Sequence, residues 1–336
     1  MGIILDLIYD NLPVIFVFLM GFSVLVYVIL DGYDLGVGML LSFAENKEQD
    51  LMVSSIAPFW DANETWLVLS VGILLVAFPV AHGQILTALY IPTAIMINGL
   101  ILRGVSFDFR VKAKDKHKKL WDKTFMFGSL LTAVTQGYML GIYILGFNYT
   151  WQAQLFATMV GGCLAAGYVF IGACWLIIKT EDELQKKAVQ WAKKALWGVS
   201  LGMILVSAAT PLVSARIWEK WFTIPNFFFL LPIPLITAWL IWQLHLWLNK
   251  LPLPQDRYCW LPFAGAVVLF LLGFYGIAYS FYPYIIPDKM DIWQAASSFD
   301  SLLVILIGVV IVLPFIAGYT LFSYRIFWGK AKLIRY

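Results

Sequence analysis

The amino-acid sequence predicts an all-α polytopic membrane protein, and three observations lead to this fold class. The 336 residues are 61% hydrophobic and only 13% charged, with a mean hydropathy of +0.82, whereas soluble domains carry roughly 25% charged residues. Nine apolar runs reach spanning length, since about 20 apolar residues cross the hydrocarbon core of a bilayer. The basic residues fall in alternate segments between these runs. We therefore expect one membrane domain, residues 1–336.

Helices 1–4 and 5–8 would share an orientation, so that each set forms a four-helix bundle, with helix 9 left over. We predict transmembrane helices near 12–40, 54–78, 82–102, 124–147, 155–178, 195–214, 225–248, 259–282 and 301–324.

The distribution of Lys and Arg predicts the orientation of the chain, because basic residues are concentrated in cytoplasmic loops. With the N-terminus outside and the C-terminus inside, the inner segments hold 20 of the 23 basic residues, and the outer ones hold only Arg216, Lys220 and Lys289. The inner segments are 41–53, 103–123, 179–194, 249–258 and 325–336. Four tryptophans then fall at the outer interface as an aromatic belt: Trp151, Trp218, Trp221 and Trp293.

The second predicted helix carries two acids, Asp61 and Glu64, in its first third. They are three residues apart and share one helix face. At 1.5 Å per residue we expect them about 10 to 15 Å into the helix from its inner end. Ionisable side chains inside a bilayer are costly and commonly face a partner, a cavity or an ion path. The alternative is a solvated helix entrance at the level of the headgroups.

Other charged residues lie toward the same side of the membrane. Asp31 and Asp34 are near the inner end of helix 1, and Asp108 and Lys112 are at the inner mouth of helix 3. Three helices thus present carboxylates toward the cytoplasm, which indicates a proton entrance. A carboxylate in a low-dielectric site is suited to pass protons near neutral pH. For Asp108 and Lys112 the alternative is an ordinary exposed pair.

The sequence offers few ligands for a redox cofactor. Its three histidines, His82, His117 and His245, are not placed as an axial pair, and its ten methionines are typical core residues. The three cysteines have no paired spacing for a disulfide or a metal. No phosphate-binding glycine loop is recognisable, and the first apolar run lacks the features of a cleavable signal peptide. We expect no haem and no metal to be bound by this chain.

The residues by themselves leave two classes of function open. One is a proton-conducting or structural subunit of a redox complex. The other is a proton-coupled secondary transporter, whose acids would serve a substrate site near the midplane. Because the acids form a layer near one face and not at the centre, the first class is favoured.

At these residues the chain resembles subunit II of the cytochrome bd-type quinol oxidases, including the cyanide-insensitive branch. Three motifs carry the resemblance, with Trp121, Asp122, Gln136, Gly137 and Gly141 after them. The motifs are Asp31-Gly-Tyr-Asp-Leu-Gly-Val-Gly-Met-Leu40, Ser55-Ile-Ala-Pro-Phe-Trp-Asp-Ala-Asn-Glu-Thr-Trp-Leu67 and Arg103-Gly-Val-Ser-Phe-Asp-Phe-Arg110. Asp34, Trp60, Asn63, Trp66, Arg103 and Arg110 are motif positions to which we assign a structural role.

The resemblance implies a bacterial inner-membrane subunit that binds no haem itself. Its partner, a haem-bearing subunit I, would carry haems b and d, or b only, and would reduce dioxygen to water with cytoplasmic protons. Quinol, lipids and small single-helix accessory subunits are further expected partners, a bound quinone is a further ligand, and nucleic acid is not a partner. Proton transfer is assigned to Asp31, Asp61, Glu64, Asp108 and Lys112. Some family members carry Gln at the position of Glu64, so its charge is not expected to be essential.

Overall fold

The computed structural model describes residues 2–333, apart from the side chains of residues 2–10, 46, 111, 115 and 116. The described chain is almost entirely helical, with one short outer hairpin, β1 (Tyr284–Ile286) and β2 (Met290–Asp291). The helices are α1 (Gly2–Leu40), α2 (Asn46–Ile56), α3 (Trp60–Ala77), α4 (Pro79–Ala88), α5 (Tyr90–Lys112), α6 (Asp115–Ile144), α7 (Trp151–Lys179), α8 (Asp182–Val213), α9 (Ala215–Phe222), α10 (Asn226–Leu230), α11 (Pro232–Lys250), α12 (Leu261–Phe281), α13 (Ile292–Ala295) and α14 (Phe299–Ile326).

Nine spans within the described residues are long and apolar enough to cross a membrane, which confirms the predicted number. They are formed by α1, α3, α5, α6, α7, α8, α10 with α11, α12 and α14.

The predicted second helix, 54–78, is wrong at its start. Helix α2 ends at Ile56, and α3 begins only at Trp60. Pro58 lies in the gap, where its ring excludes a continuous helix because it lacks an N–H and clashes with the preceding turn. The second span therefore begins at Trp60 and not at Ser54, which leaves Asp61 in its first turn.

Other boundaries shift for related reasons. The third predicted helix, 82–102, is divided at Leu89, and α5 then continues unbroken to Lys112. Pro79 and Pro92 each lie in the first turn of a helix, where a missing N–H costs nothing. Helix α8 begins at Asp182, so its first turns occupy most of the predicted loop 179–194.

The spans form two four-helix bundles with one further helix, as predicted. In the first bundle α1 packs against α3 and α6, and α6 packs against α5. In the second, α7, α8, α11 and α12 form a closed ring of neighbours. Helix α7 also packs against α1 and α6, which joins the bundles, while α14 lies against α1 and α3.

Glycine permits the closest approach between the bundles. A Cβ on Gly36 of α1 would lie 1.8 Å from the backbone oxygen of Tyr168 on α7. A Cβ on Gly172 would lie 2.6 Å from the carbonyl carbon of Gly36. Small residues let helix backbones approach in this way in membrane proteins, so the position of α7 against α1 depends on both glycines.

Salt bridges and hydrogen bonds link all five basic segments at one end of the bundle. Lys187 binds Glu48 at 2.7 Å, and Lys330 binds Asp256 at 2.9 Å. Arg110 joins α5 to α2 through Asp50 at 2.8 Å. Lys330 donates to the carbonyl of Thr180 at 2.8 Å, which ties the C-terminal segment to the end of α7. The segments predicted to be cytoplasmic therefore do share one end of the molecule.

Two acids at this end are held ionised by their partners. Burial opposes ionisation of Glu48, but hydrogen bonds from Lys187 and the Glu45 amide outweigh it, so the pKa of Glu48 lies below its usual value. Burial likewise opposes ionisation of Asp256, and the hydrogen bonds from Gln185 and Lys330 lower the pKa of Asp256. Both contributions to stability are present above the unfolded-state pKa, near 4, and are lost as pH falls below it.

The opposite end is closed by α9, the hairpin and α13. Arg216 binds Asp288 at 2.8 Å and also donates to the carbonyl of Ser280. The indole of Trp221 donates to Ser280 Oγ at 2.7 Å. The predicted outer tryptophans lie here, with Trp151 the first residue of α7 and 71% exposed.

Candidate functional site

Arg103 is the centre of a buried ionic cluster between α1, α3 and α5. Its side chain is 1% exposed, and its Nη1 lies 2.5 Å from Asp31 Oδ1. Its Nη2 donates to the carboxylate of Glu64. Its guanidinium carbon lies 5.7 Å from the ring centre of Trp60, within the range of a cation–π contact. One guanidinium thus connects three helices.

A second group of polar side chains surrounds Asp34, one turn after Asp31 on α1. Asn63 of α3 donates from Nδ2 to Asp34 Oδ2 at 2.8 Å and to the hydroxyl of Tyr33 at 3.0 Å. Tyr324 of α14 donates to Asn63 Oδ1 at 3.3 Å, and its hydroxyl lies 2.5 Å from that of Tyr33. Asp34 and Asn63 are fully buried, so packing isolates this pair from solvent, while Tyr324 is partly buried.

The charges of the cluster do not balance when every acid is ionised. Asp31, Asp34 and Glu64 face a single buried guanidinium, that of Arg103. Among the described residues, Asp31 Oδ2 and Asp34 Oδ1 are buried without a hydrogen-bond partner. An isolated buried carboxylate is very costly unless it is neutralised. The cluster is therefore suited to hold dissociable protons.

A hydrogen-bonded chain extends from α1 toward the second bundle. Gln136 of α6 donates to the hydroxyl of Tyr27 at 2.6 Å, and Tyr168 of α7 donates to Gln136 Oε1 at 2.8 Å. Tyr27 and Tyr168 are both buried. This arrangement gives the motif residue Gln136 a role, since its amide satisfies two buried hydroxyl groups at the junction of α1, α6 and α7.

Asp61 does not join the buried cluster, contrary to the expected depth in its helix. Because α3 begins at Trp60, Asp61 lies in the first turn, where its side chain is exposed. Glu64, one turn further, is 28% exposed and reaches inward to Arg103. Trp66 is buried and packs edge-on against Phe22 with 6.0 Å between ring centres.

Asp108 and Lys112 are exposed on the last turns of α5 and are also outside the cluster. The neighbouring motif residue Arg110 is buried instead, where it binds Asp50 at 2.8 Å and also binds Asp122. Trp60 and Phe107, the residues that precede Asp61 and Asp108 in the sequence, are in contact, with 5.0 Å between ring centres.

Sequence reasoning grouped Asp31, Asp34, Asn63, Glu64 and Arg103 through their motifs, but it did not identify which of them touch. The three-residue spacing of Asp31 and Asp34 signals a shared face of α1. No comparable signal was available for Tyr324, which comes from the last helix.

The described residues contain no group of three or more His, Cys, Asp and Glu side chains placed to hold a metal ion. His82, His117 and His245 lie on three different helices, α4, α6 and α11.

The fold and the cluster define a class: a polytopic helical membrane protein with a buried acid–arginine network. The sequence matches the family model "Cytochrome bd terminal oxidase subunit II" over residues 12–327. The chain belongs to this family.

Curated relatives match along nearly their whole length. "Cytochrome bd ubiquinol oxidase subunit 2" of Bacillus subtilis (strain 168) is 27% identical over 319 residues, covering 89% of this chain and 90% of the relative. "Cytochrome bd-I ubiquinol oxidase subunit 2" of Escherichia coli (strain K12) is 25% identical over 370 residues, with 96% of each chain covered. A chain of the bd oxidase structure from Geobacillus thermodenitrificans has the same fold, with a TM-score of 0.67, 10% identity and coverage of 94% of this chain and 98% of that one.

Family membership decides between the two functional classes left open by the residues. The chain is a multi-pass subunit of an oxidoreductase complex, a bd-type respiratory quinol oxidase of the cytoplasmic membrane, and not an independent transporter. A subunit II implies a partner subunit I.

Proposed function

We propose that this chain contributes a proton uptake route from the cytoplasm to a haem-bearing subunit I and supports assembly with it. The observation that carries the proposal is the change in exposure along α3, from an exposed acid in its first turn to an acid that reaches the buried cluster. Asp61 is exposed in the first turn, Glu64 is half-buried one turn further, and Arg103 connects Glu64 to the fully buried Asp31.

Charge balance explains why a haem-free subunit would carry such a route. Each electron that reaches the oxygen site needs a compensating proton, and acids in a neighbouring subunit can supply it. The haems, placed in the partner, would supply electron transfer and oxygen binding. Protons taken from inside, with quinol oxidised at the outer face, build a potential without a separate pump.

The exposed acids are placed to serve as the entrance. Asp61 is exposed in the first turn of α3 and Asp108 is exposed near the end of α5, and the residues before them, Trp60 and Phe107, are in contact. Lys112, one turn beyond Asp108, keeps the local charge from becoming strongly negative. We propose that the partner subunit covers this surface, since an exposed acid within a membrane span is costly without a partner or water.

Replacing Asp61 with Asn tests the route. The change keeps the shape and part of the hydrogen bonding of the side chain but removes its exchangeable acid proton. We expect Asp61→Asn to leave the haem spectrum of the complex near normal and to lower oxygen consumption per haem by roughly tenfold. Positioned proton-transfer groups contribute on the order of 10²–10⁴, and the neighbouring Glu64 can carry part of the flux.

Glu181→Gln is the matched control, because Glu181 is an exposed acid at the same end of the bundle, in the connection between α7 and α8. Its turnover should equal that of the unmodified complex. Full turnover in Asp61→Asn with intact haems would mean that the acid is structural and that protons enter elsewhere. A lost haem spectrum in that variant would assign Asp61 to assembly.

A further inference from the structure

The corner between α5 and α6 carries positive charge that the buried network does not use. Residues 112–123 contain six lysines against two aspartates, a formal net charge of +4, whereas the whole chain carries +3. Of the two aspartates, Asp122 is bound to Arg110. Lys119 and Lys123, one turn apart on α6, are exposed and form no salt bridge within the part of the chain that the structure describes.

The same face of α6 continues as an exposed apolar stripe. Leu120 is 58% exposed, Phe127 53% and Leu130 42%. With Lys123 these residues follow the spacing of three, four and three that places side chains on one helix face. Positive charge at the helix start thus passes directly into a surface suited to acyl chains.

Aromatic side chains mark the level at which charge gives way to apolar surface. Phe109 of α5 and Trp121 of α6 are stacked with 5.1 Å between ring centres, and Phe109 is 55% exposed. Tryptophan is enriched where the hydrocarbon core meets the headgroups. The stack therefore sets Lys119 and Lys123 at the headgroup level of the leaflet.

We propose that this face of α6, defined by Lys119, Leu120, Lys123, Phe127 and Leu130, binds an anionic diacyl phospholipid of the cytoplasmic leaflet. Clusters of lysine just cytoplasmic of a span attract anionic headgroups, and the stripe below them accommodates the acyl chains. Helix α6 uses its other faces to pack against α1, α5 and α7.

The test uses the intact oxidase complex, titrated with phosphatidylglycerol in detergent and followed by native mass spectrometry. The variant Lys119→Gln with Lys123→Gln should weaken phosphatidylglycerol binding on the order of tenfold, since each surface lysine contributes a factor of about five or less. The control is Lys47→Gln with Lys186→Gln, two exposed lysines at the same end of which Lys186 is already paired with Glu183 at 2.8 Å. It should bind phosphatidylglycerol as the unmodified complex does.

Phosphatidylcholine serves as the zwitterionic comparison and should bind equally weakly to all three proteins. Unchanged phosphatidylglycerol binding in the Lys119 and Lys123 variant would overturn the proposal. An equal loss of phosphatidylglycerol binding in the control would also overturn it, because the loss would then follow from the net charge of the protein and not from this face of α6. Release of the partner subunit from the Lys119 and Lys123 variant would show that this face contacts protein.

Discussion

Arg103 determines how the acids of this protein can be buried at all. Its guanidinium is always charged and presents a planar fork of donors, and here that fork divides between Asp31 and Glu64. Lysine, a point charge, could not hold two carboxylates from two helices in the same way. At the scale of single residues, the cluster is thus organised by the cation and not by the acids.

Removing this cation should be among the most damaging single changes in the chain. Arg103→Leu leaves Asp31 and Glu64 without their counter-charge, and breaking a buried pair in this way costs about 3–5 kcal/mol. We expect a large loss of assembled complex in the membrane and a lower thermal unfolding midpoint. Arg103→Lys should fall between that variant and the unmodified protein.

Arg325→Leu is the comparison, since Arg325 is an exposed residue on α14 and its loss should change assembly little. The measurement is the yield of complex per membrane protein, with the unfolding midpoint of what is purified. Normal yield and stability in Arg103→Leu would contradict a central role for the guanidinium.

At the scale of helices, α14 is the element whose role is least evident from its own sequence. It is the helix outside both bundles, and its exposed face carries large apolar side chains, among them Phe315, 75% exposed. Yet Tyr324 reaches inward to Tyr33 and Asn63. Helix α14 therefore extends the hydrogen-bonded group around Asp34 through Tyr33 and Asn63, although it contributes no acid to it.

Tyr324→Phe tests this contribution. The change removes one hydroxyl and leaves Tyr33 and Asn63 each short of a partner in a dry site, where such a loss costs about 1–3 kcal/mol. We expect the unfolding midpoint of the complex to fall while its haem content stays unchanged. Tyr319→Phe, which alters an exposed tyrosine of the same helix, should leave the midpoint where it is, and equal midpoints for the two variants would refute the coupling.

The accuracy of sequence reasoning differs between the helices and the cluster for a physical reason. The number of spans and the alternation of charged segments follow from the cost of burying polar groups in a bilayer. Each segment shows this cost in its own composition, so both features can be predicted from local sequence. The predicted depth of Asp61 is wrong because a single proline, Pro58, places the start of α3 at Trp60. The contact of Tyr324 with Asn63 joins residues 261 positions apart, and no local pattern encodes it.

At the scale of the whole molecule, the proposed route requires that the linked basic end face the cytoplasm. Lys114 lies in the connection between α5 and α6 at that end, and Asn148 lies between α6 and α7 at the other, both exposed.

Single cysteines at these two positions, in a background without Cys163, Cys174 and Cys259, can be labelled with a membrane-impermeant maleimide. We expect the cysteine at position 148 to react in intact spheroplasts and the one at position 114 only after the membrane is opened, because 20 of 23 basic residues lie on the side of Lys114. The reverse pattern would place Asp61 and Asp108 outside, where they could not take up cytoplasmic protons. It would therefore refute the route while leaving the membership of the family intact.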